Sequence, residues 1–244
     1  MRTTHRQIAI VGHRGAAGEA PENTLGSFAL AVEQGADAVE LDVHLSKDGS
    51  IVVCHDAKVN RTTTGRGAIA ELLTRELKQL DAGMWHSDRY AGERLPLLEE
   101  VFDLLPPAVG VNVEMKIDSP ELRSGLLRLL RERSMLERVF VSSFHHGGLT
   151  RMKLEEPGLR IGLLVDKKPI MPEEAARKYG VELYSMHPHH KLVNRQWMEQ
   201  ANRLGIRVYP WTVNKVPRMA ELIAFGVSGI ITDFPARLRA LLNN

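Results

Sequence analysis

Strand-like apolar runs alternate with amphipathic segments, Asp-Gly sits between two such runs early in the chain, and no glycine-rich phosphate loop follows the first strand. Together these observations predict an α/β chain folded as a TIM (β/α)8 barrel with a small insertion after the second barrel strand. Nine runs read as strands, at 8–12, 38–42, 51–54, 111–115, 139–143, 160–165, 182–186, 206–211 and 229–232. A closed barrel of this kind needs eight. The surplus is resolved between Asp42 and Val53, where Asp48-Gly49 separates two strand-like halves. Asp-Gly supplies the positive φ of a tight hairpin turn, so 51–54 pairs back on the second strand and leaves the barrel count. It belongs to an insertion from about Val43 to Leu95, within one domain spanning 1–244. The runner-up, a doubly wound open sheet, wants a glycine-rich loop that Gly12-His13-Arg14-Gly15 matches poorly.

Helices fill the gaps. The first is capped around Asn23-Thr24 and presents Leu25, Phe28 and Val32 on one face. A helix around Leu97 to Leu105 follows the insertion. Ser119-Pro120-Glu121 opens the next with an N-cap, a first-turn proline and an acid, and its apolar face is Leu122, Leu126, Leu129 and Leu130. Asn194 caps another, with Trp197, Met198, Ala201 and Leu204 inside and Gly205 ending it. Asn214 and Pro217 open one that Gly226 ends, and Thr232-Asp233-Phe234-Pro235 reads as a cap on the last helix.

Composition excludes more than it assigns. With 43% apolar and 25% charged residues the chain can bury a full core, and a net charge of +2 gives no reason to invoke nucleic acid or an anionic membrane. The apolar runs Ile8 to Val11 and Ile161 to Val165 are strand-sized, far short of a bilayer span. Residues 1–7 lack the apolar block of a signal peptide, and Cys54, the single cysteine, suits a reducing compartment. The expectation is a cytoplasmic protein without stable membrane association; homo-oligomerisation stays open.

The chemistry gathers at strand ends, where parallel α/β enzymes build their sites. His13-Arg14 ends the first strand and offers a proton carrier and a phosphate-gripping guanidinium. Glu40 and Asp42 end the second, two residues apart and hence on one face. Two acids on the inner face of an apolar strand are costly unless paired or bound to a cation, so the alternatives are ion pairs to Arg14 or Lys116, or a metal. Glu114-Met115-Lys116 repeats the pattern on the neighbouring strand. Three oxygen ligands without cysteine favour a hard cation, Mg²⁺ or Ca²⁺. The hairpin's return strand carries His55-Asp56 back towards the same mouth, opposite His13.

Other features read more plainly. Cys54 reads as buried packing. Met186-His187-Pro188-His189-His190 reads as a solvated loop rather than a second metal site, as do His145 and His146. Trp211 is either a pocket wall or rim packing.

In order along the chain, His13-Arg14-Gly15, Pro21-Glu22-Asn23-Thr24, Glu40-Leu41-Asp42-Val43, Lys47-Asp48-Gly49, Val53-Cys54-His55-Asp56, Glu114-Met115-Lys116, Ser142-Ser143-Phe144, Trp211-Thr212-Val213-Asn214 and Thr232-Asp233-Phe234-Pro235 resemble a glycerophosphodiester phosphodiesterase of the bacterial cytosolic type. The resemblance spans nearly the whole chain. It implies that His13 and His55 are general acid and base, and that Glu40, Asp42 and Glu114 hold one divalent cation, Mg²⁺ or Ca²⁺. It also implies that Arg14 and Lys116 contact phosphate, with Phe144 and Trp211 against substrate. A glycerophosphodiester would yield sn-glycerol 3-phosphate and an alcohol, either through a cyclic phosphate formed by the glycerol 2-hydroxyl or by direct attack of water. The resemblance transfers no position from 60–95. A barrel acting on lysophospholipids or inositol lipids would want an apolar rim or basic membrane-facing patch, and a binding-only barrel would lack some of these polar groups.

Overall fold

The computed structural model describes residues 8–243, so the leader reading of residues 1–7 lies outside it. In chain order the elements are β1 (Ala9–His13), α1 (Leu25–Glu33), β2 (Ala38–Leu45), β3 (Ile51–Val53), the single turn α2 (Thr74–Leu77), α3 (Leu98–Leu104), β4 (Gly110–Met115), α4 (Pro120–Glu132), β5 (Val139–Ser143) and α5 (His146–Glu155). There follow β6 (Arg160–Val165), α6 (Pro172–Tyr179), β7 (Ser185–Pro188), α7 (Arg195–Arg203), β8 (Arg207–Val208), α8 (Val216–Phe225), β9 (Gly229–Thr232) and α9 (Pro235–Leu242).

Parallel ladders run β8-β7-β6-β5-β4-β2-β1-β9, and only β3 lies off this path, antiparallel to β2. The ring is drawn together by backbone bonds: Val208 O accepts from Ser228 N (2.9 Å), Pro210 O from Ile231 N (3.0 Å) and Ile231 O from Val213 N (3.0 Å). A near-closed barrel of eight parallel strands with alternating helices results, as the strand count implies. The register aligns His13 with Glu40, Glu40 with Asn112, and Asp42 with Glu114 and then Ser142, in two rows near the barrel mouth.

Strand alternation sorts the side chains. Val39, Leu41, Val111, Val113 and Val141 face outward and pack with Phe28, Leu122, Leu126 and Leu149 of the helices. Each such fully buried side chain contributes about 1.5–3 kcal/mol. The opposite face of β2 carries Ala38, Glu40 and Asp42; Ala38 joins Val11, Tyr209 and Ile231 in a small apolar floor. The segment after β3 has its own cluster, Val52, Cys54, Val59, Ile69, Leu77, Ala82 and Leu95. Cys54 is buried packing, its thiol pushed up to about 12 by burial.

Several local expectations change. The hairpin loop spans 46–50 rather than two residues; Gly49 alone takes positive φ (85°), while Asp48 accepts from Ser46 Oγ (2.7 Å) and from the Thr74 backbone (3.0 Å). The sixth barrel strand sits at 185–188, not 182–186, and the seventh ends as a regular strand at Val208 rather than 211, although Tyr209 N and Trp211 N still donate to Met186 O (3.0 Å) and Pro188 O (3.1 Å). Leu204 lies past the end of α7 and is exposed, and Leu127 replaces Leu129 on the buried face of α4. Asn214 does not cap α8: its Oδ1 accepts from Asp233 N (3.0 Å) and its Nδ2 donates to Asp233 Oδ2 (2.5 Å). The Asp233 side chain is likewise engaged elsewhere and does not cap α9.

Candidate active site

The turn after β1 is built to aim polar groups inward. Arg14 (φ 51°) and Asn23 (φ 58°) both occupy the left-handed region, a conformation that costs about 1–3 kcal/mol and gathers at functional sites. Gly15 (φ 87°) permits the turn, since a Cβ there would lie 2.3 Å from Ser27 Oγ. The strained turn lets Arg14 donate its backbone N–H to Glu40 Oε2 (3.0 Å) and place Nε 3.3 Å from Asp42 Oδ2. Asn23 Nδ2 donates to the same Asp42 oxygen (2.9 Å).

Glu40, Asp42 and Glu114 meet: one oxygen from each lies within 4.8 Å of the others, and all three residues are buried. Among the described residues no other group of three potential ligands converges in this way. Lys116 Nζ donates to Glu114 Oε1 (2.7 Å) and stands 3.3 Å from Asp42 Oδ1. Both sequence alternatives therefore hold at once: the acids are ion-paired, and they still cluster. Their charges diverge accordingly. Burial raises Asp42, but Lys116, Arg14 and His55 outweigh it and hold the carboxyl at about 2. Burial and the Asp42 charge push Glu114 up to about 7, and burial with both neighbouring acids lifts Glu40 well above the carboxylate range. Burial and mutual repulsion thus favour protons on Glu40 and Glu114, and the three acids can be fully ionised together only when a further cation offsets their charge. Such an all-oxygen donor set could bind a metal ion.

The two sequence-singled histidines line the same cavity of about 220 Å³, together with Arg14, Glu40, Glu114, Lys116, Phe144 and Trp211. Each is backed by a carboxylate: Asp56, already adjacent to His55 in the sequence, and Asp233, which the sequence reads as a helix cap. His13 Nδ1–H donates to Asp233 Oδ1 (2.6 Å), which leaves Nε2 facing the site, 4.0 Å from Glu40 Oε2. His55 Nδ1–H donates to Asp56 Oδ1 (2.7 Å). Burial lowers the His55 pKa, with the Asp42 charge opposing. Arg61 clamps this side: Nε donates to Asp56 Oδ2 (2.8 Å), and its Nη groups donate to both oxygens of Glu22 (2.7 and 2.8 Å). Glu22 in turn accepts from Arg14 Nη1 (2.8 Å). Arg61 falls in 60–95, where no position was transferred; nothing in its local pattern marks it.

At the far wall, the Phe144 and Trp211 rings meet edge to face at 5.8 Å. Trp211 Nε1 donates to His187 O (2.7 Å), so this residue serves as both wall and rim packing. His187 itself is not in a solvated loop. It is fully buried inside the barrel, its Nε2 2.9 Å from Ser185 Oγ, its ring against Phe140 and Tyr209, and its pKa taken to about 3 by burial. Gly162 makes that room, since a Cβ there would lie 2.6 Å from His187 Nε2. His146 is also tied in: Nε2–H donates to Leu164 O (2.7 Å) and Nδ1 accepts from Tyr179 Oη (2.9 Å). His145 is exposed, as expected.

Similarity to known proteins meets this geometry from outside. A family described as the glycerophosphoryl diester phosphodiesterase family matches residues 13–237. A glycerophosphodiester phosphodiesterase of Caldanaerobacter subterraneus is 40% identical over 233 residues, 94% of this chain and 95% of the relative. Among solved structures, an Oleispira antarctica phosphodiesterase in complex with the product sn-glycerol-3-phosphate superposes with TM-score 0.89 at 30% identity, covering 97% of each chain. A glycerophosphodiester phosphodiesterase from Agrobacterium tumefaciens gives TM-score 0.86 at 28% identity, covering 96% of this chain and all of that one. Among the described residues, no helix is long and apolar enough to cross a membrane.

Proposed function

Because this chain belongs to the glycerophosphoryl diester phosphodiesterase family and is an enzyme of that class, we propose that it releases sn-glycerol 3-phosphate from glycerophosphodiesters by two-histidine acid–base catalysis at a site holding one divalent cation. The observation that carries this reading is the convergence of Glu40, Asp42 and Glu114 in a cavity lined by two carboxylate-backed histidines. The Oleispira structure, with sn-glycerol-3-phosphate as product, lends it support.

Glu40, Asp42 and Glu114 would hold the cation, Mg²⁺ or Ca²⁺, which when bound neutralises charge on the phosphoryl oxygens. Arg14 and Lys116 grip the phosphate and offset charge as it builds. The Nδ1–H bonds to Asp233 and Asp56 fix the tautomers and present Nε2 of both rings to substrate. One imidazole takes the proton of the glycerol 2-hydroxyl as that oxygen bonds phosphorus. The other, protonated, gives its proton to the departing alcohol oxygen as the P–O bond breaks. Water then opens the cyclic phosphate with the roles exchanged. Phe144 and Trp211 wall the substrate. The substrate is a small molecule met in the cytoplasm, with neither nucleic acid nor a stably bound membrane as partner, and 1–244 acts as one domain with 43–95 as its insertion.

The test is phosphorus NMR of glycerophosphoglycerol incubated with enzyme, with and without EDTA. Cation-dependent appearance of glycerol 3-phosphate is expected. Undiminished turnover in EDTA contradicts the cation, and rapid turnover of a 2-deoxyglycerol diester contradicts the cyclic route.

A further inference from the structure

The cavity between His13 and His55, about 220 Å³, is smaller than the ~300–1,000 Å³ of sites that enclose drug-sized ligands. It suits the glycerol phosphate half of a diester and leaves the alcohol half to be housed elsewhere. Phe144, Leu164 and Asp166 line this cavity and also a second, open groove of about 510 Å³. The two spaces therefore share a wall at the aromatic end of the site. Buried Leu164, Val165 and Ile170 line the groove, beside the His146–Tyr179 pair.

Its charge is one-sided. Lys167, Lys168 and Lys178 line it, and Asp166 is its single acid. Among the described residues, none of these three ammonium groups forms an ion pair. The cations of the inner site, by contrast, are committed to Glu22, Asp42 and Glu114. An anionic group seated in the groove would meet three ammonium groups against one carboxylate, whose attraction is felt over ~8 Å at physiological salt.

We infer that this groove seats the alcohol half of the diester and selects alcohols that carry an anionic group, such as a second phosphodiester, over quaternary ammonium alcohols. The inference rests on the hydrolase reading above and adds the substrate class to it. Exposed charges act through screened attraction, so the preference weakens as salt rises.

Three diesters test it: bis(glycerophospho)glycerol, glycerophosphoglycerol and glycerophosphocholine, whose alcohols are anionic, neutral and cationic. At low salt, kcat/KM per scissile bond should fall in that order, with about tenfold or more between first and last, and the spread should shrink in high salt. K167E/K168E and, separately, K178E should each lower the anionic-to-cationic ratio, the double variant by about tenfold. Equal kcat/KM for the three diesters, or ratios unmoved in both variants, overturns the inference while turnover of glycerophosphoglycerol keeps the hydrolase reading intact. No turnover of any of the three overturns both.

Discussion

The Nδ1–H of His13 donates to Oδ1 of Asp233 across 2.6 Å, joining the first barrel strand to the loop after the last, 220 residues on. Asn214 holds the second oxygen of that carboxylate from the loop after β8. The imidazole is thus fixed in one tautomer by two loops that closure of the barrel brings beside it.

That relationship carries the first expectation. D233N replaces the acceptor with a group that can donate, and removes the charge that steadies an imidazolium. The kcat should fall by about 10²–10⁴-fold, with KM changed far less. H13A and H55A should lose a comparable factor with the fold intact by circular dichroism. Steady-state rates near wild type in either histidine variant would mean that the acid and base are misassigned.

Glu114 separates metal binding from stability. Its carboxyl is lifted to about 7 by burial and the Asp42 charge, so E114Q relieves repulsion in the cation-free protein. The melting temperature in EDTA should hold or rise, while the cation-induced increase seen in wild type should be lost. A variant that melts lower in EDTA yet keeps the full cation response contradicts this.

Arg61 is a positioning residue, bracing Asp56 behind His55 and Glu22 beside Arg14. R61A should lower kcat by about tenfold or more. R61K should not restore it, because an ammonium cannot make the paired contacts of the guanidinium fork. Full recovery in R61K would reduce Arg61 to a point charge.

His187 sets a pH dependence of stability. Burial takes it from 6.5 to about 3, so below pH 6.5 the unfolded chain binds a proton that the folded chain refuses. Its contribution is complete above 6.5 and drains away as pH falls toward 3. Between pH 7 and pH 5 wild type should lose about 2 kcal/mol through this residue, at ~1.4 kcal/mol per unit, and H187N should be spared that loss. Urea unfolding of both proteins at the two pH values decides it; equal losses would contradict a neutral buried ring.

The barrel was legible because period-two strands and capped helices are local signals, and one Asp-Gly turn accounts for the extra strand. The acidic trio was legible for the same reason: Glu40, Asp42 and Glu114 sit at like positions on strands that a parallel barrel makes neighbours. Asp233 was not, since a carboxylate after a last strand looks like a helix cap until closure sets it beside His13. Arg61 lies in a loop with no periodicity to mark it. His187 was misread because its burial depends on Gly162 of the adjacent strand leaving space, and the neighbouring Pro188, His189 and His190 imitate a solvated turn.

Crystals grown with Mn²⁺ as a stand-in for the lighter cation, and anomalous diffraction at the manganese edge, test the centre of the mechanism most directly. One strong peak is expected in the barrel mouth, within about 2.0–2.6 Å of an oxygen from each of Glu40, Asp42 and Glu114. A peak bound by other residues, or no peak there in crystals whose enzyme turns over substrate at full rate, would contradict it.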